Sequence, residues 1–134
     1  MIGVLVVTHG SIGEALLTSA SQILGNAPAQ VATLSVWRQD DPDDLVLRAR
    51  ELLETLDAGD GVLVITDIFG ATPGNVVSRL LQDGRIEGVS GASLPMLLRV
   101  LTGRNGSLAG AVKRALSGGA DGVVHMNTDR CLDA

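Results

Sequence analysis

Aromatic side chains are almost missing from this chain. Of its 134 residues only Trp37 and Phe69 are aromatic, and there is no tyrosine. A core without rings must be built from Leu, Val, Ile and Ala, which suits helices packed on a parallel sheet. Cysteine is scarce too: Cys131 stands alone, so an internal disulfide is impossible and a reducing compartment is the natural setting. Basic residues are outnumbered, 10 Lys and Arg against 15 Asp and Glu, giving a net charge of −5. That balance argues against nucleic acid or an anionic membrane as the principal partner, because both require clustered cations. No apolar run reaches the roughly 18 residues of a spanning helix. The amino terminus carries neither the positive stretch nor the apolar length of a secretory signal. The expectation is a cytoplasmic protein without membrane insertion. Linkers, low-complexity tracts and internal repeats are also missing, so residues 1–134 are read as a single domain.

What is present is an alternation of short continuous apolar runs with helical stretches, the pattern of an α/β domain. Strands are expected at 2–7, 31–36 and 61–66, with shorter ones near 88–92 and at 122–127. A first helix is expected from Ser11, as N-cap, to Gly25, with Ile12, Ala15, Leu16, Ile23 and Leu24 as its apolar positions. Asp41 as cap, Pro42 at the first helical position and Asp43 and Asp44 in the first turn mark a second helix. Its stripe is Leu45, Ala49, Leu52, Leu53 and Leu56, and Gly59 closes it. Thr72 and Pro73 open a third helix through "PGNVVSRLLQDG". Two more are expected around 95–101 and after Ser107, and "RNG" at 104–106 reads as an ordinary turn. The fold class is an open, mainly parallel sheet with helices on both faces.

In such sheets ligands bind beyond the carboxyl ends of the strands. Two strands deliver polar residues there: Thr8-His9-Gly10-Ser11 after the first, and Asp67 through Asn75 after the third. Taken singly, His9 reads as a strand-end histidine and the Asp67 loop as the lead-in to a capped helix. If the two strands are neighbours, His9 and Asp67 face one another. A carboxylate beside an imidazole accepts one ring N–H, fixes the tautomer and leaves the other nitrogen bare. Around it, the Thr72 hydroxyl and the backbone N–H groups of Gly70 and Ala71 could hold an incoming phosphoryl group, as could the start of the helix after His9. Neither motif contains Lys or Arg, so charge stabilisation falls mainly to the backbone.

The segments "VVTHGSIGEALLTSASQILG", "GVLVITDIFGATPGNVVSRLL" and "LPMLLRVL" resemble the mannose-type enzyme IIA domains of the bacterial phosphoenolpyruvate-dependent sugar phosphotransferase system. The likeness runs over essentially the whole chain. It implies that His9 accepts a phosphoryl group from phospho-HPr and passes it to a IIB protein. It further implies that Asp67 orients His9, and that Gly10, Ser11, Gly70, Ala71 and Thr72 hold the phosphate. It implies a homodimer in which the last strand, 122–127 with a structural His125, is exchanged between subunits. Ser93 stands where the family usually has Asn. No fused IIB domain is expected in this chain. No cofactor is expected either, since the donor is a phosphohistidine and there is no Gly-x-x-x-x-Gly-Lys loop.

Other readings are a regulatory binding module switched by His9 phosphorylation and the phosphodonor subunit of dihydroxyacetone kinases. That subunit usually has a serine-rich segment after its histidine. A hydrolase using Ser11, His9 and Asp67 lacks the Gly-x-Ser-x-Gly elbow. A metal site of His9, His125 and Asp67 matches no known ligand spacing.

Overall fold

A computed structural model of the protein describes residues 1–128. Four strands form one parallel sheet: β1 (Gly3–His9), β2 (Val31–Val36), β3 (Val62–Thr66) and β4 (Ile86–Ser90), in the order β2-β1-β3-β4. Five helices connect and cover them: α1 (Ile12–Leu24), α2 (Pro42–Leu56), α3 (Thr72–Ser78), α4 (Leu94–Leu101) and α5 (Leu108–Asp121). Alternation along β1 divides the core. Leu5 and Val7 face α2 and α3 with Val62 and Val64, while Val4 and Val6 face the other layer, shared by α1, α4 and α5, with Leu63 and Ile65. Both layers are aliphatic, as a chain nearly without rings requires. Each fully buried Val, Leu or Ile contributes about 1.5–3 kcal/mol.

The chain leaves β1 towards β2 on one side and returns to β3 on the other. The strand order therefore reverses between β1 and β3, the switch point beyond whose strand ends ligands bind in open parallel sheets. Pairing of Val7 with Thr66 and of His9 with Val36 brings the ends of β1, β2 and β3 nearly level. At the opposite edge the 104–106 turn is more than a connection. Arg104 is buried there and donates from its guanidinium to the carbonyl of Ala29 at 2.6 Å, tying the turn to the segment before β2.

Several element bounds differ from expectation. Helix α2 stops at Leu56, because Asp57 turns extended and its carboxylate takes the amides of Gly59 and Gly61 at 2.8 and 3.2 Å. Val46 joins its buried face, while Leu52 is only partly buried. Helix α3 ends early, at Ser78, its last turn tightened by bonds from Arg79 to Val76 and from Leu80 to Val77. Strand β4 lies two residues earlier than expected, where its pairing with β3 sets it. On α1 the stripe turns differently: Gly13 and Ala20 are buried, whereas Ile12, Ala15 and Ile23 are exposed. A Cβ on Gly13 would stand 3.1 Å from Val6 Cγ1, so close approach of helix to sheet selects this face.

Residues 122–127 form no strand in the single chain. They follow α5 as coil and turn with Val123, Val124 and Met126 exposed, and among the described residues no strand pairs with them. His125 there bonds Thr128 through Nδ1 and Oγ1 at 2.8 Å. Cys131 lies outside the described residues. Among the described residues, no helix is long and apolar enough to cross a membrane.

Candidate functional site

Strand β1 is fully buried through Thr8, and its last residue, His9, emerges at the edge with its side chain 49% exposed. Asp67, the first residue beyond β3, is only 12% exposed and points at it. One carboxylate oxygen, Oδ2, accepts from His9 twice: from the ring Nδ1 at 2.9 Å and from the backbone amide at 3.1 Å. The other, Oδ1, accepts from the Ile68 amide at 3.1 Å. Burial works against the charge of Asp67, but the bonds from the His9 ring and amide outweigh it and hold the carboxyl below its ordinary value. An ionised carboxylate only accepts, so in the neutral ring Nδ1 carries the proton and Nε2 has the free lone pair.

Two left-handed glycines shape the loops on either side. Gly10, at φ +49°, turns the chain between His9 and α1 and donates to the Val36 carbonyl at 2.9 Å. A Cβ there would meet the Trp37 ring at 3.2 Å, so backbone and indole lie in contact. Gly70, at φ +86°, bends the loop after Asp67 towards α3. The amides of Gly70 and Ala71 find no protein acceptor among the described residues.

Two caps differ from expectation. Ser11 precedes α1, but its side chain makes no capping bond; buried Thr8 does so instead, its Oγ1 accepting from the Gly13 amide at 2.8 Å. The cap of α3 is Ala71, also without a side-chain bond, and Thr72 is the first helical residue, exposed at the rim. A helix start with no side chain closing it leaves its polar groups to solvent or to a ligand. Ser93 caps α4, its Oγ accepting from the Met96 amide at 3.3 Å.

The sheet edge thus brings together His9, Gly10, Ser11 and Asp67 and, on the same loop as Asp67, Gly70, Ala71 and Thr72. The capping bond from Thr8 and the place of Trp37 against Gly10 are not among the expectations from the sequence. A polar residue ending an apolar strand five places before a helical glycine was the signal for Thr8. A lone tryptophan directly after the strand that pairs with β1 was the signal for Trp37. His125 is remote in sequence and bonded to Thr128. Among the described residues no three His, Cys, Asp or Glu side chains are grouped to hold a metal ion. His9 stands on an open edge: a groove of about 790 Å³ between α1 and β2 is lined by Glu14, Leu17, Ser21 and Thr33 and does not include it.

A family model described as "PTS system fructose IIA component" matches residues 3–117. The chain is 30% identical over 125 residues to the mannose-specific EIIAB component of the phosphotransferase system of Escherichia coli K12; the match covers 91% of this chain and 38% of that protein. The chain therefore spans well under half the length of that relative. It is 30% identical over 103 residues to the fructose-specific EIIA component of Bacillus subtilis, covering 76% of this chain and 70% of the relative. Among solved structures, the phosphotransferase component EIIA from Streptococcus agalactiae superposes with a TM-score of 0.85 at 26% identity, covering 96% of this chain and 99% of that one. The mannose/sorbose-specific IIA subunit from Enterococcus faecalis has the same fold, with a TM-score of 0.81 at 22% identity and 92% of both chains covered.

Proposed function

This chain belongs to the mannose-type EIIA family of the phosphotransferase system, and on that premise we propose that it is a phosphocarrier whose phosphoryl group rides on Nε2 of His9. We read residues 1–134 as one EIIA domain that takes the group from phospho-HPr and delivers it to a IIB protein, in sugar uptake or in a regulatory relay. The observation that carries the reading is the 2.9 Å bond between His9 Nδ1 and Asp67, which leaves Nε2 free to attack.

In the forward step the Nε2 lone pair forms a bond to the donor's phosphorus. The phosphorus–nitrogen bond to the donor's histidine breaks, and its electron pair returns to that imidazole, which takes up a proton from water. Asp67 holds the Nδ1 proton and stabilises the positive charge that grows on the ring. The free amides of Gly70 and Ala71, the Thr72 hydroxyl, and the Gly10-Ser11 turn stabilise the phosphoryl oxygens through backbone and hydroxyl donors. Transfer to a IIB protein reverses these roles.

The half-exposed position of His9 suits a donor that is itself a protein. The relay partners assign its work to the cytoplasm. We also propose a homodimer in which segment 122–127 of each copy adds to the open edge of β4 in the other. Its exposed Val123, Val124 and Met126 support this. So does the groove of about 360 Å³ beside β4, lined by Val77, Leu81, Val89, Val112 and Leu116.

Reconstitution tests the function: full-length protein with phosphoenolpyruvate, enzyme I and HPr, followed by intact-mass analysis. One acid-labile phosphoryl group is expected on the native chain and none on His9→Ala. A variant that is still modified, or an unmodified native chain beside active HPr, overturns the reading.

A further inference from the structure

Trp37 is the only tryptophan of the chain, and it belongs to neither core layer. Its side chain is 51% exposed, and its ring rests on Gly10, the residue after His9. A Cβ on Gly10 would stand 3.2 Å from Cζ3 and 3.5 Å from Cη2 of the indole. The same strand end holds Gly10 a second way, because the Gly10 amide donates to the Val36 carbonyl at 2.9 Å. Trp37 is itself anchored. Its amide donates to Asp40 Oδ2 at 2.9 Å, and its carbonyl accepts from the Asp40 amide at 3.0 Å. Arg48 of α2 stands 3.9 Å from that carboxylate oxygen. A fixed ring outside the core thus bears on the backbone beside the histidine.

We infer that Trp37 is a positioning residue for phosphoryl transfer, its indole pinning the Gly10 turn and so fixing His9 beside it. The inference rests on the relay reading and adds to it a residue outside both motifs. Gly10 takes φ +49°. A glycine populates positive and negative φ about equally, so its own sequence does not hold the turn. What holds it is the bond to Val36 on one side and the Trp37 ring on the other. The peptide joining His9 to Gly10 is planar, so fixing the Gly10 amide also fixes the His9 carbonyl and the course of the backbone there. In that arrangement the His9 amide and Nδ1 both reach Asp67 Oδ2, at 3.1 and 2.9 Å, and Nε2 keeps one direction. Transfer depends on that direction, because a misplacement of about 1 Å can cost about a hundredfold in rate. Trp37 acts through Gly10 and not on the phosphoryl group.

The test follows phosphorylation of the full-length chain by phospho-HPr and by phosphoramidate, a donor too small to need a docking surface. Trp37→Ala is expected to lower the saturating rate with both donors by about tenfold to a hundredfold, with KM for phospho-HPr unchanged. Trp37→Phe keeps a flat ring over Gly10 and should restore most of that rate. Urea unfolding of each variant gives the folded fraction, to which the rates are referred. Native rates in folded Trp37→Ala overturn the inference, since the ring would then serve stability alone. A raised KM for phospho-HPr with a native phosphoramidate rate also overturns it, because the ring would then touch the partner and not the turn. A loss that Trp37→Phe does not restore overturns it as well. Failure of the native chain to take phosphate from either donor would refute the relay itself.

Discussion

At the scale of single residues the site depends on a proton held in place. Asp67 binds the His9 ring and the His9 amide through one oxygen, so it orients the ring while selecting its tautomer. Asp67→Asn keeps the shape and loses that selection, since an amide can offer either a donor or an acceptor to Nδ1. Phosphorylation of His9 is expected to slow by about 10²- to 10⁴-fold, the range seen when a catalytic imidazole loses its orienting carboxylate; rapid-quench transfer from phospho-HPr measures it. The same bond has a pH signature. The carboxyl of Asp67 lies below its ordinary value in the folded chain, so its stabilisation is complete above the unfolded value of about 3.9 and is lost as pH falls through the folded one. The native chain should therefore lose melting temperature more steeply below about pH 4 than Asp67→Asn does. Asp57 adds to the same acid sensitivity, held low by the Gly59 amide against burial, with help from the Gly61 amide and Arg85.

At the scale of elements, two close contacts set how helices meet the sheet. Thr8 Oγ1 takes the Gly13 amide and so joins the last turn of β1 to the first turn of α1 across the His9 loop. Thr8→Val keeps the volume and leaves that amide without an acceptor. A loss of about 1 kcal/mol is expected, measured by urea unfolding, together with slower phosphorylation because the loop carrying His9 loosens. Gly3 at the start of β1 faces the end of α2, where an added Cβ would stand 2.5 Å from the Leu56 carbonyl oxygen. Backbone cannot swing aside as a side chain can. Gly3→Ala should cost about 1–3 kcal/mol, again read from urea unfolding, with phosphorylation of the folded fraction unchanged because the site lies at the other end of the strand.

For the whole molecule, the proposed dimer sets the exposed apolar residues after α5 of one copy against the unpaired edge of β4 in the other. A parallel sheet ordinarily does not leave an edge open beside an apolar groove. Removing residues 122–134 is expected to give a monomer in sedimentation velocity where the full chain is a dimer, with the fold retained by circular dichroism. A truncated chain that still dimerises would place the contact elsewhere.

The sequence by itself determined the α/β class, the four strands of the sheet and the two motifs that make up the candidate site. Continuous aliphatic runs bounded by glycine and cap residues are local signals, and they need no knowledge of the partner strand. Pro42 with Asp41, Ser107 and Gly25 are further examples, each legible because its bond lies within four residues of it. Only the tertiary structure decided which strand ends meet. His9 and Asp67 are 58 residues apart and are joined because β1 and β3 are neighbours at the reversal of the sheet. The face α1 buries was decided the same way, by the fit of Gly13 over Val6. So was the cap from Thr8, a buried strand residue that reaches forward past the expected Ser11. The segment 122–127 has strand composition, yet a strand exists only where another supplies its hydrogen bonds, and among the described residues of one chain none does.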